Sequence, residues 1–224
     1  MASGKDVCVV IPVFNEEPVI GDVVRAVRCH FPLVVCVDDG SQDKSAAECR
    51  SAGAHVVQHP VNLGQGAALQ TGFAMSLRWP NVKYFITFDA DGQHDIKDAE
   101  NLLRPLREGE TDIVFGSRFL DDRTDVGRAK RLVLGVAIWF TRRSSGLHLS
   151  DTHNGFRAFT REVAQAFDLK MNGMAHASEI ISTVAARQFR YAEQPVHIRY
   201  TDYSRSKGQP LMNGVNILFD LMFR

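Results

Sequence analysis

Short apolar runs rich in β-branched and aromatic residues recur along the first half of the chain, and each predicts a buried strand. The predicted strands are Val7–Val13, Leu33–Val37, Ala54–Gln58, Tyr84–Phe88 and Asp112–Phe115. The stretches between them predict helices: one that begins at Asn15–Pro18, one that ends near Ala52, and the segments Gly64–Leu77 and Asp98–Arg107. Strands that alternate with helices of about ten or more residues are typical of βαβ units and a parallel sheet.

The second half of the chain has a less regular pattern. It contains predicted helices over Leu132–Arg143 and Ser178–Arg187, and predicted strands over Gly155–Phe159 and Pro195–Tyr200. The character of the sequence changes near residue 117, but no repeat or low-complexity linker interrupts it. We therefore predict a single domain over residues 1–224.

Pairs of acidic residues follow the second and fourth predicted strands. Asp38 and Asp39 come directly after one strand, and Asp89-Ala90-Asp91 follows the other. The carboxyl ends of parallel strands share one edge of a sheet, and ligands of open α/β sheets bind at that edge. Two carboxylates two residues apart, with coordination positions left open, suit Mg²⁺ or Mn²⁺ that also binds a substrate phosphate. An Asp-x-Asp pattern alone is common, and a solvated acidic turn is the alternative interpretation.

Two further motifs at this edge each have a functional and a structural interpretation. A carboxylate at Asp39 can accept hydrogen bonds from a nucleobase or a ribose, but Asp-Gly-Ser is also favourable turn chemistry. The glycines of Asn62–Gly66 stand at the start of a predicted helix, where backbone N–H groups can meet a phosphate. Close helix packing explains them equally well, and neither a P-loop nor a dinucleotide fingerprint is present.

Basic residues gather after the fifth predicted strand and near the C-terminus, where they suit a diphosphate or a phosphorylated acceptor. They are Arg118, Arg123, Arg128, Lys130, Arg131, Arg142, Arg143, Arg199, Arg205 and Lys207. A solvated surface is the alternative for at least half of them. Asp151 is a candidate general base or a hydrogen-bond acceptor for a sugar, and Glu179 is a second candidate. The histidines His94, His153 and His176 are interpreted as ordinary polar residues.

The composition of the 224 residues is that of an ordinary globular protein, with 45% hydrophobic and 23% charged residues. Basic and acidic residues number 26 each, and the resulting net charge of zero argues against a protein built to bind bulk nucleic acid. The four cysteines show no CxxC pair and no zinc-ligand spacing, which favours reduced thiols in a cytosolic protein. We find neither a signal peptide nor a run that approaches the roughly 20 apolar residues of a membrane span.

Six motifs, in order along the chain, carry a family resemblance. They are Val10–Glu16 (VIPVFNE), Val37–Ser41 (VDDGS), Asn62–Gly64 (NLG), Asp89–His94 (DADGQH), Gly116–Arg118 (GSR) and Asn154–Arg157 (NGFR). Together they resemble the family 2 inverting glycosyltransferases, and most of all the branch of dolichol-phosphate mannose synthases and polyprenyl-phosphate glycosyltransferases. The resemblance extends from about Val7 to Lys207. Each motif is weak alone, but six in the same order are a strong signal.

This resemblance implies a GT-A fold, an α/β (Rossmann-like) domain with a mostly parallel central sheet flanked by helices. Residues 1–117 would form the nucleotide-sugar-binding half, 118–209 the acceptor-side half and 210–224 a C-terminal amphipathic helix. The implied donor-binding residues are Pro12, Phe14, Glu16, Asp39, Gly64, Asp89, Ala90 and Asp91. The implied ligands of Mg²⁺ or Mn²⁺ are Asp89, Asp91 and Gln93. The expected residues for the acceptor and the phosphates are Arg118, Arg131, Arg199, Ser206 and Lys207, and the expected catalytic residues are Asp91, Asp151, Arg118 and Arg131.

The implied reaction is a single displacement with inversion that moves a hexose from a UDP- or GDP-sugar to a polyprenyl phosphate. A sugar hydroxyl of a glycan or of a lipid-linked saccharide is the alternative acceptor, and it requires a base, for which Asp151 is the candidate. A non-catalytic nucleotide-sugar-binding scaffold is a remote alternative that the intact Asp89 and Asp91 disfavour. A sugar-nucleotide pyrophosphorylase would need a glycine-rich, arginine-containing loop after the first strand, where this chain has Phe14–Pro18.

The chain departs from the family pattern at three points. Asn154 stands where Cys or Ser is more usual, and Asp95 replaces the common proline after Gln-His. Transmembrane helices, which many relatives carry after the catalytic domain, are absent from the sequence. These departures concern the acceptor and the attachment to a membrane rather than the donor chemistry.

The last segment, Leu211–Arg224, predicts a helix with one narrow polar stripe and a wide apolar face. Such a face is covered by the bilayer interface, by a second copy of the chain in a homo-oligomer or by the protein's own core. A lipid-linked acceptor favours the first of these. We therefore expect a cytoplasmic protein that is peripheral at the inner face of the cytoplasmic membrane.

Overall fold

The computed structural model describes residues 4–120, 146–152, 154–171, 173, 175–199 and 203. Its strands are β1 (Val7–Val13), β2 (Leu33–Asp38), β3 (His55–Gln58), β4 (Tyr84–Thr87), β5 (Ile113–Ser117), β6 (Arg157–Thr160) and β7 (Tyr191–Pro195). They form one seven-stranded sheet in the order β3-β2-β1-β4-β6-β5-β7. All pairs are parallel except those of β6, which runs antiparallel to β4 and β5. The predicted α/β class with a mostly parallel sheet is thus confirmed.

Helices cover both faces of this sheet. They are α1 (Glu17–Arg28), α2 (Ser45–Ser51), α3 (Gln65–Ser76), α4 (Asp98–Arg107), α5 (Arg161–Ala166) and α6 (His176–Ala186), and a 3-10 turn at Gly4–Asp6 precedes β1. On one face Val24 of α1 and Leu102 of α4 belong to one buried cluster, and on the other Phe73 of α3 and Ile180 of α6 belong to a second. Strands covered on both faces need apolar side chains at successive positions, which explains the continuous run in β1.

The prediction for the last strand was wrong in its position. The strand is Tyr191–Pro195, whereas Pro195–Tyr200 was expected from its apolar residues. The residues of β7 are partly buried at the edge of the sheet, so their polar composition hides the strand from a hydrophobicity pattern. Beyond it, Ile198 makes only an isolated bridge to His94. The short helix α5 was also missed, although Thr160 caps it by accepting a hydrogen bond from the Val163 N–H.

Further expectations concern the cysteines, membrane-spanning helices and the segments after residue 120. None of the four cysteines forms a disulfide, and Cys8, Cys36 and Cys49 are buried. No helix among the described residues combines the length and the apolar character needed to cross a bilayer. The predicted helices over residues 132–143 and 210–224 lie outside the described residues, and the division at residue 117 stays a prediction.

Candidate active site

Several of the predicted site residues lie at one edge of the sheet. The carboxyl ends of β1, β2, β4 and β5 lie there, and antiparallel β6 brings its amino end to the same edge. The residues next to these strand ends are Phe14, Asp39, Asp89, Arg118 and Gly155. The edge is the one at which open α/β sheets bind ligands, as the sequence predicted.

The loops after β1 and β2 are joined by reciprocal hydrogen bonds. The Asn15 N–H donates to Ser41 Oγ at 2.9 Å, and the Gln42 N–H donates back to Asn15 Oδ1 at 2.9 Å. The Glu16 N–H donates to Ser45 Oγ at 2.7 Å. Asn15 has a left-handed backbone (φ 53°), which Asn adopts more readily than most residues. These bonds hold Phe14 and Glu16 beside the loop that carries Asp39.

Asp39 is buried and its carboxylate holds the loop that follows β3. The N–H groups of Leu63 and Gly64 donate to it at 2.9 and 2.7 Å. His59 Nδ1 contacts Asp39 Oδ1 at 2.7 Å, and its Nε2 lies 2.9 Å from Thr71 Oγ1 on α3. The sequence predicted that Asp39 accepts hydrogen bonds from a nucleobase or a ribose. In the structure its two oxygens already bind the Leu63 and Gly64 N–H groups and contact His59, so the carboxylate holds the loop after β3.

The glycines at the start of α3 serve packing. The N–H of Gly64 is taken up by Asp39, so it is not available to a phosphate in this arrangement. A Cβ on Gly66 would lie 2.1 Å from the Met171 carbonyl oxygen, so only glycine fits there. Of the two interpretations of Asn62–Gly66, the structure favours close packing of the helix start.

Asp89 and Asp91 stand in the turn after β4. Asp89 Oδ2 lies 2.8 Å from His94 Nε2, and its side chain is 34% exposed. Asp91 Oδ1 accepts a hydrogen bond from the Gln93 N–H at 3.0 Å. Within the described residues no three His, Cys, Asp or Glu side chains are grouped as a metal site of their own.

The electrostatics of this carboxylate pair fit a divalent cation. Burial and the nearby charge of Asp89 raise the pKa of Asp91 to about 6, and the charge of Glu16 adds to the shift. Burial also acts to raise the pKa of Asp89, but the charges of His94 and Arg157 outweigh it and hold that pKa below its usual value. Carboxylates that repel each other are stabilised by a shared cation. A cation held by these two carboxylates would keep positions for water and phosphate oxygens, as Mg²⁺ usually does.

Arg118 and Asp151 form a buried ion pair across the edge. Arg118 Nε and Nη2 donate to the two oxygens of Asp151 at 2.6 and 2.8 Å. The Arg118 side chain is 11% exposed and that of Asp151 is 1% exposed. Glu193 supports the pair by accepting the N–H groups of Ser150 and Asp151 at 2.8 and 3.2 Å. In this arrangement both oxygens of Asp151 bind the Arg118 guanidinium, so the carboxylate is not open to accept a proton from a substrate.

Other predicted site residues have partners of their own. Arg199 is exposed and its guanidinium pairs with Asp95, the residue that replaces the common proline. Its backbone N–H donates to Gln93 O at 2.8 Å, which ties the turn after β4 to the chain beyond β7. The carboxylate of Glu179 accepts the N–H groups of Lys170 and Met171, a structural task rather than that of a base. Arg131, Ser206 and Lys207 lie outside the described residues.

Several residues that were not predicted as site residues lie among those that were, and one of them, His94, was interpreted as an ordinary polar residue. Arg157 is 1% exposed, its charge acts on Asp89, and its Nε and Nη1 lack a hydrogen-bond partner within the described part of the chain. His59 supports Asp39, and His94 contacts Asp89. Tyr203 donates its hydroxyl to Glu16 at 2.8 Å, across 187 positions of sequence. The histidines and Arg157 stand within or beside motifs, but Tyr203 carries no local signal.

The contact of Tyr203 predicts a role in donor binding. We expect Tyr203→Phe to weaken the affinity for a nucleoside diphosphate about tenfold to a hundredfold, because one hydrogen bond to a charged group contributes about 1.5–3 kcal/mol. Calorimetric titration of the variant with UDP and GDP measures this effect. Unchanged affinity for both nucleotides would show that Glu16 does not depend on Tyr203.

The chain belongs to glycosyl transferase family 2, whose family model matches residues 8–167. A polyprenol monophosphomannose synthase of Mycolicibacterium smegmatis is 30% identical over 220 residues, covering 93% of this chain and 82% of the relative. A UDP-N-acetylglucosamine–dolichyl-phosphate N-acetylglucosaminyltransferase of Methanococcus voltae is 26% identical over 241 residues, covering 97% and 95% of the two chains. The resemblance drawn from the six motifs is thereby confirmed.

A solved structure shares the fold. The glucosyl-3-phosphoglycerate synthase of Mycobacterium tuberculosis, in complex with phosphoglyceric acid, has a TM-score of 0.75 at 18% identity. The match covers 98% of this chain and 79% of that one. The protein is therefore a glycosyltransferase with a GT-A fold.

Proposed function

We propose that this enzyme moves a hexose from a UDP- or GDP-sugar to a polyprenyl phosphate, in one displacement with inversion and with the help of Mg²⁺ or Mn²⁺. The observation that carries the choice of acceptor is the buried ion pair of Arg118 with Asp151. A sugar hydroxyl needs a base to take its proton, whereas a phosphate monoester is already anionic. Asp151 is the candidate base, and its two oxygens are held by Arg118. This arrangement supports an acceptor that needs no base.

The donor is proposed to lie against the joined loops after β1 and β2. Phe14, Val61 and Leu63 expose apolar side chains here, between 41% and 58%, which suits the face of a nucleobase. Glu16, held by Tyr203, is proposed to accept hydrogen bonds from the nucleoside. Pro12, Gly64 and Ala90 lie at the same edge. The proposal that they contact the donor rests on their positions in the sequence motifs.

The metal is proposed to bind Asp89 and Asp91, with Gln93 as a further ligand. When bound, it neutralises charge on the nucleoside diphosphate as the bond to the sugar breaks. The same neighbour in the GT-A fold has been solved with UDP and Mn²⁺ and with UDP and Mg²⁺, which supports a divalent ion without distinguishing the two. Arg118, and with it Arg131, Ser206 and Lys207, is proposed to hold phosphate oxygens. Arg118 and Arg199 each already pair with a carboxylate, Asp151 and Asp95, so a phosphate oxygen would have to share or replace that partner.

The acceptor implies contact with a membrane surface. The two relatives named above act, by their names, on polyprenol and dolichyl-phosphate substrates, which are lipids. We propose that the apolar face of segment 210–224 meets the bilayer interface at the inner face of the cytoplasmic membrane, with a homo-oligomer contact as the alternative. Co-sedimentation with liposomes, lost when residues 211–224 are deleted, would support the first.

A donor screen tests this proposal. The protein is incubated with Mg²⁺, a short-chain polyprenyl phosphate and, in turn, UDP-glucose, other UDP-hexoses and GDP-mannose. One donor is expected to give a polyprenyl phosphate-linked hexose by mass, with the anomeric configuration opposite to that of the donor by NMR. Retained configuration would refute the single displacement, and the absence of any lipid product with every donor would refute the proposed acceptor.

A further inference from the structure

Two residues outside the predicted ligand set, His94 and Gly155, lie against the carboxylate of Asp89. His94 Nε2 lies 2.8 Å from Oδ2. Gly155 lies so close that a Cβ added to it would be 2.7 Å from Oδ1 and 2.8 Å from Oδ2. Real Cβ atoms do not approach oxygen atoms this closely, so a glycine is needed for the observed position of the carboxylate.

The imidazole of His94 is itself fixed in place. Its ring packs against the rings of Phe88 and Phe156, with centroids 5.3 and 4.7 Å away, and those two rings lie 5.3 Å from each other. The His94 side chain is 2% exposed. The backbone of His94 is bridged to Ile198. A ring packed in this way has little freedom to follow a carboxylate that turns, so it sets the direction in which Asp89 points.

The contact with Asp89 defines which nitrogen of the ring acts as the donor. Nδ1 is buried and has no hydrogen-bond partner within the described ranges. A carboxylate accepts hydrogen bonds, so the proton shared with Asp89 is assigned to Nε2. His94 then uses one acceptor position of Oδ2, and a cation would bind through the remaining positions of the carboxylate.

Gly155 is held in position as well. Its carbonyl oxygen accepts a hydrogen bond from Thr87 Oγ1 at 2.5 Å. Two residues on, Arg157 pairs with Thr87 in the register between β4 and β6. The pairing of β4 with β6 and the Thr87 hydrogen bond therefore fix the Gly155 backbone next to Asp89.

We propose that His94 and Gly155 form a clamp that fixes the carboxylate plane of Asp89 and thereby sets the affinity of the site for its metal. They are positioning residues, since neither is required to touch the substrate. The inference rests on the proposed function in one respect, that Asp89 is a metal ligand. Partners that orient a metal ligand typically change metal affinity or activity 10–100-fold when they are removed, which is about the effect to expect here.

The test measures Mn²⁺ binding rather than turnover. Electron paramagnetic resonance gives the affinity of the whole protein for Mn²⁺ in the presence of UDP, with GDP in parallel. His94→Phe keeps an aromatic ring but removes the donor, and it is expected to weaken Mn²⁺ binding about tenfold or more. His94→Gln restores an N–H donor at similar reach and should recover most of the affinity. His30→Phe, the same change at an exposed site on the protein surface, is the matched control.

Gly155→Ala provides a second, independent arm. The added methyl group must displace the Asp89 carboxylate, so the same loss of Mn²⁺ affinity is expected, and this variant decides if His94→Phe does not fold. Wild-type Mn²⁺ affinity in a folded His94→Phe variant, or in Gly155→Ala, overturns the clamp. A wild-type protein that binds UDP or GDP but no Mn²⁺ overturns the metal proposal itself, and the two failures are thus distinguishable.

Discussion

Asp91→Asn and Asp89→Asn are each expected to reduce sugar transfer about a hundredfold or more while the protein stays folded. Losing the charge stabilisation that a metal gives a leaving group costs several kcal/mol, and each 1.4 kcal/mol is about tenfold in rate. For Asp91 the change also removes a repulsive neighbour of Asp89, so stability should not fall. Initial rates at saturating donor, together with thermal unfolding, measure both quantities.

A matched control separates this effect from a general change of charge. Asp22→Asn removes a carboxylate from α1 that is 86% exposed and pairs only with Arg25 of the same helix in the described structure. Its rate should equal that of the wild type. Full turnover in excess EDTA, or full activity in Asp91→Asn, would remove the metal from the proposed mechanism.

Asp39→Ala is expected to weaken binding of the nucleoside diphosphate about a hundredfold. The carboxylate holds the N–H groups of Leu63 and Gly64 and the ring of His59. Each buried group left without its partner costs about 1–3 kcal/mol, so the loop would abandon its present position. Two such losses correspond to about a hundredfold in affinity if the donor needs that loop in place.

Calorimetry with UDP and with GDP measures this loss, and Asp39→Asn provides a graded comparison because its amide retains one acceptor oxygen. The order of affinity should be wild type, Asp39→Asn, then Asp39→Ala. Unchanged affinity in a folded Asp39→Ala variant would refute the proposal that the donor binds at the loop that Asp39 holds.

The sequence predicted the first half of the fold well because its signals are local there. β1 was predicted at its observed limits because a continuous apolar run marks it. The helix α4 was also predicted at its observed limits because its apolar residues recur with a helical period. Parallel strands then bring Asp39 and Asp89 to one edge whatever the details of the loops. Strand β7 lacked such a run, and only its pairing with β5 reveals it.

The contacts within the site were beyond the sequence because they join distant residues. Arg118 and Asp151 were each assigned a separate task, and the structure pairs them over 33 positions. Tyr203 contacts Glu16, which lies 187 positions away in the sequence, and no periodicity or motif predicts that contact. Asp95 was read only as a departure from the family pattern, whereas its pairing with Arg199 explains why a carboxylate suits that position.

The most direct test of the central claim compares two acceptors that differ only in the phosphate. A polyprenyl phosphate and the corresponding free polyprenol are offered to the enzyme with the same nucleotide-sugar, and the products are identified by mass. The account predicts transfer to the phosphate and none to the alcohol, with free sugars equally inactive. Transfer to a hydroxyl at a comparable rate, abolished by Asp151→Asn in a folded variant, would contradict it and make Asp151 the base of a different glycosyltransferase reaction.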